Sequence, residues 1–473
     1  MGRKGQEERE KGRERREEGV GGVGKGSVKR REREEGRDGE MLVFIIISSA
    51  IGIILYKLVL FLMEWRRDIE LCRKIPSIGP AHWFWGHINQ FVFYIFQKFT
   101  SITDKVEKER EMIKNQGAKI FHTWLGPFHA IIGVLHPDAA KEIMKSTEPK
   151  PVFKDTDGYS FMKSWLGMGL LLSHGKKWER NRRLLTPAFH FDVLKPYVQI
   201  YNEVIDIFLN KIKMNQDKEK TVEMYDLVTL ATLDTMLRCA FSYNGGIQTE
   251  RYCSKKYTRA VKDDPEQLNR RRLDFLDILL SAKDDEGVGL SDEDIRAEVS
   301  TFLLAGHETT ASAISWSFYY LGKYHDEQQK IYEEVQNTID RTDFFTWENV
   351  SECRQLSLFV KESLRHTSPA PGFARYITKP FVLDGVEFPA GTTIGFCINH
   401  INNNPHIWPD YEVFRPERFL DTEARQRDPF AYVPFSAGSR YQISLVDGFE
   451  YEQDPLTVTK AKYGIKLHME ERK

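Results

Sequence analysis

The chain has 473 residues, more than one hydrophobic core usually organises, yet within reach of a single large domain. Its formal net charge is −1 at pH 7, so no global charge favours binding to nucleic acid. The five cysteines, Cys72, Cys239, Cys253, Cys353 and Cys397, are scattered and form no C-x-x-C pair. That pattern argues against a disulfide framework and a structural zinc site, and fits a reducing compartment.

Residues 1–40 are mainly Gly, Glu, Arg and Lys. Such a segment cannot bury enough surface to offset its ordering entropy, and a disordered charged tail is expected. Its charges are of mixed sign, which favours a solvated tail over a nucleic-acid-binding arm. Gln6 stands where a myristoylation signal carries Ser or Thr. Residues 41–63 are expected to form a transmembrane anchor. Met41–Tyr56 is apolar apart from Ser48 and Ser49, and the run resumes after Lys57. A spanning helix needs about 20 such residues. Lys57 can snorkel if it lies towards one end. Trp65, Arg66, Arg67, Arg73 and Lys74 follow, which places the C-terminal side in the cytosol. No small-residue cleavage site follows, so an anchor is favoured over a cleaved signal peptide, with a buried core helix as the alternative.

Residues 64–82 read as a basic, proline-containing linker. Pro76 and Pro80 stiffen it. From Trp165 to His190 the chain carries Arg180, Arg182 and Arg183 on one predicted helix. Trp178 and Arg182 are four apart and share a helical face. Alone, this pattern favours a solvated basic face over an anion site. The stretch from Phe241 to Arg272 is polar and turn-rich, and no long helix is legible in it. Asp274-Phe275-Leu276-Asp277-Ile278-Leu279-Leu280 follows it.

The most organised stretch is a long helix predicted from Ser291 to about Tyr324. Ser291 and Asp294 have capping-box spacing, and Asp292 and Glu293 set negative charge on the positive helix end. Apolar residues are almost continuous after Ile295, so the helix is expected to be buried. It spans on the order of 50 Å. In its middle stand Ala305, Gly306, His307, Glu308, Thr309 and Thr310. Gly and Thr are poor interior helix formers, and a buried Glu needs a partner. A local rule broken inside a core helix points to a site. The alternative is a kink with a capped polar cluster. The functional reading is a widened groove where a small ligand approaches the backbone, beside an acid and a hydroxyl able to relay protons.

Glu362 and Arg365 then sit at i, i+3, where they can pair. Phe414-Arg415-Pro416-Glu417-Arg418-Phe419 follows. Short strands are expected around Phe381–Phe388, turning at Asp384-Gly385, and at Thr392–Ile398. Near the end, Pro434-Phe435-Ser436-Ala437-Gly438-Ser439-Arg440 leads into Tyr441 and Gln442.

Five motifs in order, W-x-x-x-R, A-G-H-E-T-T, E-x-x-R, F-x-P-x-R-F and F-S-A-G-S-R, make the chain resemble the cytochrome P-450 superfamily. The run around Trp178 and Arg182 is similar to the family-4, fatty-acid-hydroxylating branch. The resemblance implies a mainly α fold with small β-sheets (α+β), preceded by one transmembrane helix. It implies a haem domain over 83–473, shortened near 243–270 and 441–448, so that the fold is incomplete. It implies haem b, dioxygen, a flavoprotein reductase and a lipophilic substrate, in an endoplasmic reticulum membrane with the catalytic domain facing the cytosol. By the same resemblance, Glu308 and Thr309 deliver protons. Trp178, Arg182, Arg375 and Arg440 hold the haem propionates, and Ala305, Gly306, Phe435 and Gly438 line the cofactor. Glu362, Arg365 and Arg418 form a buried structural ion network. Ala305 replaces the Glu that esterifies haem in many family-4 members, so no covalent haem link is expected. The family's haem-ligating cysteine position holds Gln442, and a neutral amide cannot replace a thiolate. The helix that follows that cysteine in the family is absent too. Segments lost by exon skipping or an imperfect gene model account for both short regions. Cys353 and Cys397 lie in no glycine-bearing loop and read as inert thiols. The alternative is therefore a non-catalytic membrane protein.

Overall fold

The structure is a computed structural model. It describes residues 41, 43–77, 79–87, 110–146, 148–152, 158–216, 221–248, 274–338, 344–437 and 466–467. The expectations for residues 1–40, Gly438, Arg440, Gln442, the 441–448 stretch and most of 243–270 lie outside these residues. The chain divides into two units after Leu71.

The first unit holds helix α1, Val43–Cys72, whose 30 residues are long and apolar enough to cross a membrane. Its apolar side chains, Phe44, Ile54 and Met63 among them, are exposed. The helix continues past Met63 into the stretch read as linker. Arg66 and Glu70 pair there at i, i+4, and both are good helix formers.

The second unit is mostly helical, with small sheets. Strands β1 (Ile120–Leu125) and β2 (His129–Val134) make an antiparallel hairpin. Helices α2 (Pro137–Met144), α3 (Gly158–Leu166), α4 (Gly175–Leu185) and α5 (Tyr197–Gln216) follow. Strand β3 (Val222–Glu223) leads into α6 (Met224–Ala240), whose N-cap Glu223 accepts two backbone N–H bonds. Helix α7 (Phe275–Ser281) starts at a capping box made by Asp274 and Asp277. Helix α8 (Asp292–Lys323) is 32 residues long, and Ser291 caps it by accepting from the Asp294 N–H. Helices α9 (His325–Thr338) and α10 (Arg354–His366) complete the helical layer.

Strands β4 (Gly372–Tyr376), β5 (Phe381–Leu383), β6 (Val386–Phe388) and β7 (Thr393–Cys397) and helix α11 (Ile398–Asn402) follow. The main sheet has the order β1-β2-β7-β4, with β7 parallel to β2 and antiparallel to β4. β5 and β6 turn at Asp384 and Gly385, both with positive φ (49° and 76°), the conformation of a two-residue hairpin turn. A last strand, β8 (Lys466–Leu467), pairs with β3. The core sits around α8. Leu233, Leu237, Phe241, Phe275, Leu279 and Leu303 join α6, α7 and α8 in one buried cluster. At the other end of α8, Tyr320 stacks on Phe414 at 4.8 Å, beside Phe359 of α10.

A buried charge cluster ties α10 to the segment that follows the sheet. Glu362 and Arg365 are both fully buried. Arg365 Nε and Nη2 donate to the two Glu362 oxygens at 2.8 and 2.9 Å. Arg418 Nε donates to Glu362 at 3.2 Å, and the Arg415 N–H does so at 2.8 Å. Arg418 also donates to the carbonyls of Pro409, Asp410 and Val413. Burial pushes the Glu362 carboxyl up, but the His366 ring and the Arg365 guanidinium outweigh it and hold the group below its ordinary value.

Removing one partner of such a cluster strands a buried charge. Arg365→Ala or Glu362→Ala is therefore expected to cost about 3–5 kcal/mol, read by denaturant unfolding of the full chain in detergent. A carboxyl with a lowered folded pKa contributes stability above its unfolded pKa. That contribution is lost as pH falls through the folded value. Stability is therefore expected to drop below about pH 4.3, and less steeply in Glu362→Gln.

Candidate active site

Helix α8 carries the candidate residues. It buries Ala297, Glu298 and Thr301 on one side of its midpoint and Ala311, Ser312 and Ser315 on the other. Between them, Leu304 to Thr309 are only half-buried and Thr310 is exposed. The helix runs unbroken through Gly306. The Thr309 hydroxyl donates to the Ala305 carbonyl at 2.6 Å, the i−4 back-bond that bends helices. That bond uses the hydroxyl proton and leaves the oxygen able to accept. His307 Nδ1 lies 2.7 Å from the Leu303 carbonyl. Its Nε2 is 3.5 Å from Glu308. Glu308 also acts on Tyr225 of α6, where burial and then its negative charge push the phenol up.

Gly306 has a packing role that the sequence did not reveal. A Cβ there would lie 2.4 Å from Met236 Sδ of α6, and Thr232 of the same helix donates to the His307 carbonyl at 3.2 Å. The glycine thus lets α6 approach α8 closely.

Trp178 and Arg182 lie on α4, both half-buried. The neighbouring arginines turn elsewhere: Arg180 pairs with Asp284 at 2.7 Å and Arg183 with Asp285 at 2.8 Å. Two of the three arginines read from the sequence thus dock an acidic loop. Arg375 is fully buried on β4, with its guanidinium 4.9 Å from the Phe373 ring centre and Nη1 donating to the Ala374 carbonyl. Phe435 is half-buried at the start of the loop that leads to residue 442. The approach to that loop is fixed from α11 and the α10–β4 connection: Val433 N–H donates to Asn402 and the Ser368 hydroxyl to the Pro434 carbonyl. Ser436 there has a φ of 64°.

The family model described as "Cytochrome P450" matches residues 76–263 and 250–441. Cytochrome P450 4A2 of Rattus norvegicus is 34% identical over 466 residues, 86% of this chain and 87% of that protein. Cytochrome P450 4F11 of Homo sapiens is 34% identical over 433 residues, 78% of this chain and 80% of that protein. The chain belongs to the cytochrome P450 family.

The family's haem can be tested against the residues present. A half-buried Trp–Arg pair and a fully buried arginine suit a group with two carboxylates, because the guanidinium fork matches two oxygens. The axial donor does not fit. Residue 442 is glutamine. Cys239 is buried, and its surroundings push the thiol up to about 12, so it stays protonated. Cys72 and Cys353 are buried as well. Among the described residues no cluster of His, Cys, Asp and Glu could hold a metal ion. Trp178, Arg182 and Arg375 are thus of the type that would hold the carboxylates of such a group, while residue 442 offers no thiolate.

Glu298 was overlooked in the sequence. Its signal was of the kind that singled out Glu308: an acid inside an apolar helical run.

Filling the space of Gly306 is expected to disturb the α6–α8 contact. Gly306→Val should lower unfolding stability by about 1–3 kcal/mol. Adding Met236→Ala should restore part of that loss in a double-mutant cycle, because the two changes share one contact.

Proposed function

We propose that this chain carries the frame of a membrane-anchored haem monooxygenase that hydroxylates a lipophilic substrate such as a fatty acid. Dioxygen is the oxidant, and a flavoprotein reductase supplies electrons. The observation that carries the reading is the middle of α8, where Thr309 back-bonds to Ala305 beside Glu308 on the half-buried stretch of a core helix. In this reading the haem supplies the oxygen chemistry, while the protein places the reactants and moves protons. Glu308 and Thr309 are the proton-handling pair. Trp178, Arg182 and Arg375 are the partners of the haem carboxylates, with Arg440 as a fourth. Ala305, Gly306, Phe435 and Gly438 line the cofactor. The apolar stretch of helix α1 supports the anchor, because exposed apolar side chains all round a helix call for an apolar surrounding. The basic residues after Met63 favour a cytosolic catalytic unit on the endoplasmic reticulum.

One observation favours a second reading. Gln442 stands at the axial position, and the family match stops at residue 441. In that reading this polypeptide is a shortened, non-catalytic form of the same frame. The two readings part in one experiment: incubation of the membrane-expressed chain with reductase, NADPH and a medium-chain fatty acid. Hydroxylated product above the no-chain control supports the first. No product, with Gln442→Cys alone also inactive, supports the second, because a ligand without the helix that follows it cannot hold haem.

A further inference from the structure

Glu298 is fully buried on α8. One of its oxygens accepts the Leu170 backbone N–H at 2.9 Å, and the other accepts from Asn181 Nδ2 at 3.1 Å. Leu170 lies in the turn between α3 and α4. Asn181 lies on α4, directly before Arg182 and one turn after Trp178. The turn can reach Glu298 because two glycines seat it on α8. A Cβ on Gly167 would lie 2.9 Å from Ala297 Cβ. One on Gly169 would lie 2.6 Å from Thr301 Oγ1 and 2.8 Å from the Ala297 carbonyl oxygen. Any larger residue at Gly169 would lift the turn and pull Leu170 away from the carboxylate.

We propose that Glu298 is a positioning residue whose carboxylate clasps the 167–170 turn and Asn181, and so fixes the helix carrying Trp178 and Arg182 against the central helix. The inference deepens the proposed function, since it rests on that reading for the importance of Trp178 and Arg182. A purely hydrophobic contact would hold the two helices together but leave α4 free to slide. Two hydrogen bonds to one buried carboxylate, at two points of the chain, set its register. The charged groups that act on Glu298 are Asp294 of α8 and Lys177 of α4, which pair with each other at 2.5 Å. Burial pushes the Glu298 carboxyl from its ordinary 4.5 up to about 7, against the lowering effect of the Leu170 and Asn181 bonds. A group with a raised folded pKa holds more protons when folded, so its contribution to stability falls as pH rises from 4.5 to about 7.

The test is hydrogen exchange on the full chain in detergent micelles, for wild type, Glu298→Gln, Glu298→Ala and Asn181→Ala. In Glu298→Ala, exchange across residues 167–185 should rise about tenfold, the size of a lost buried hydrogen bond. Exchange in α10 should stay at the wild-type level. Unfolding stability should fall between pH 4.5 and 7 in wild type, and this slope should vanish in Glu298→Gln, a variant that keeps the size of the side chain. Unchanged exchange over 167–185, a rise of equal size in α10, or the same pH slope in both proteins would overturn the proposal. Titration of wild type with hemin is read separately. Absence of hemin binding would count against the haem reading while leaving the clasp intact.

Discussion

The folded chain depends on a buried carboxylate that gathers donors from three places. Glu362 binds the Arg365 guanidinium one turn along its own helix, Arg418 from the segment after the sheet, and the Arg415 backbone. Arg365 reaches on to Asn403 and the Tyr411 carbonyl. The neighbouring Asn402 holds the Val433 N–H. One charge cluster thereby fixes α10, the 402–418 segment and the approach to residue 437. Desolvating these charges costs roughly what their attraction returns, so the cluster is better understood as setting register than as adding net stability. That register also fixes the segment up to Ala437.

The central helix is the other half of the frame. It is a core helix with two acids at two different tasks. Glu308 lies on the half-buried middle stretch next to the Thr309–Ala305 bond. Glu298, fully buried, holds the α3–α4 turn and Asn181. The same helix thus carries the proposed proton-handling pair and holds the turn that leads into the helix of Trp178 and Arg182. Gly306, Gly167 and Gly169 make this possible from outside, because each removes a side chain where another element presses on α8.

Much of this was legible in the sequence. The cap and apolar run put the central helix at Ser291–Tyr324, and the structure has Asp292–Lys323 with Ser291 as its cap. The Asp384-Gly385 turn and the i, i+3 spacing of Glu362 and Arg365 also gave contacts that the structure contains. Other features depend on tertiary partners and left no local signal. The β1–β2 hairpin has no clean alternation, because it is covered unevenly along its length. Arg180 and Arg183 read as part of one basic face until the distant Asp284 and Asp285 come to meet them. The packing of Met236 against Gly306 left no signal in the sequence around it. Residues 64–72, which read as linker, continue α1. Arg66 and Glu70 stabilise it.

The chain has the fold of its family, and Gln442 stands where the resemblance implies the haem-ligating cysteine. The carbon-monoxide difference spectrum of the reduced, membrane-expressed chain tests it most directly. With glutamine where the resemblance implies the ligating cysteine, the spectrum should lack the red-shifted Soret band that thiolate ligation gives. A clear thiolate-type band would contradict this account: a cysteine would then reach the iron, and the chain would stand as a complete monooxygenase.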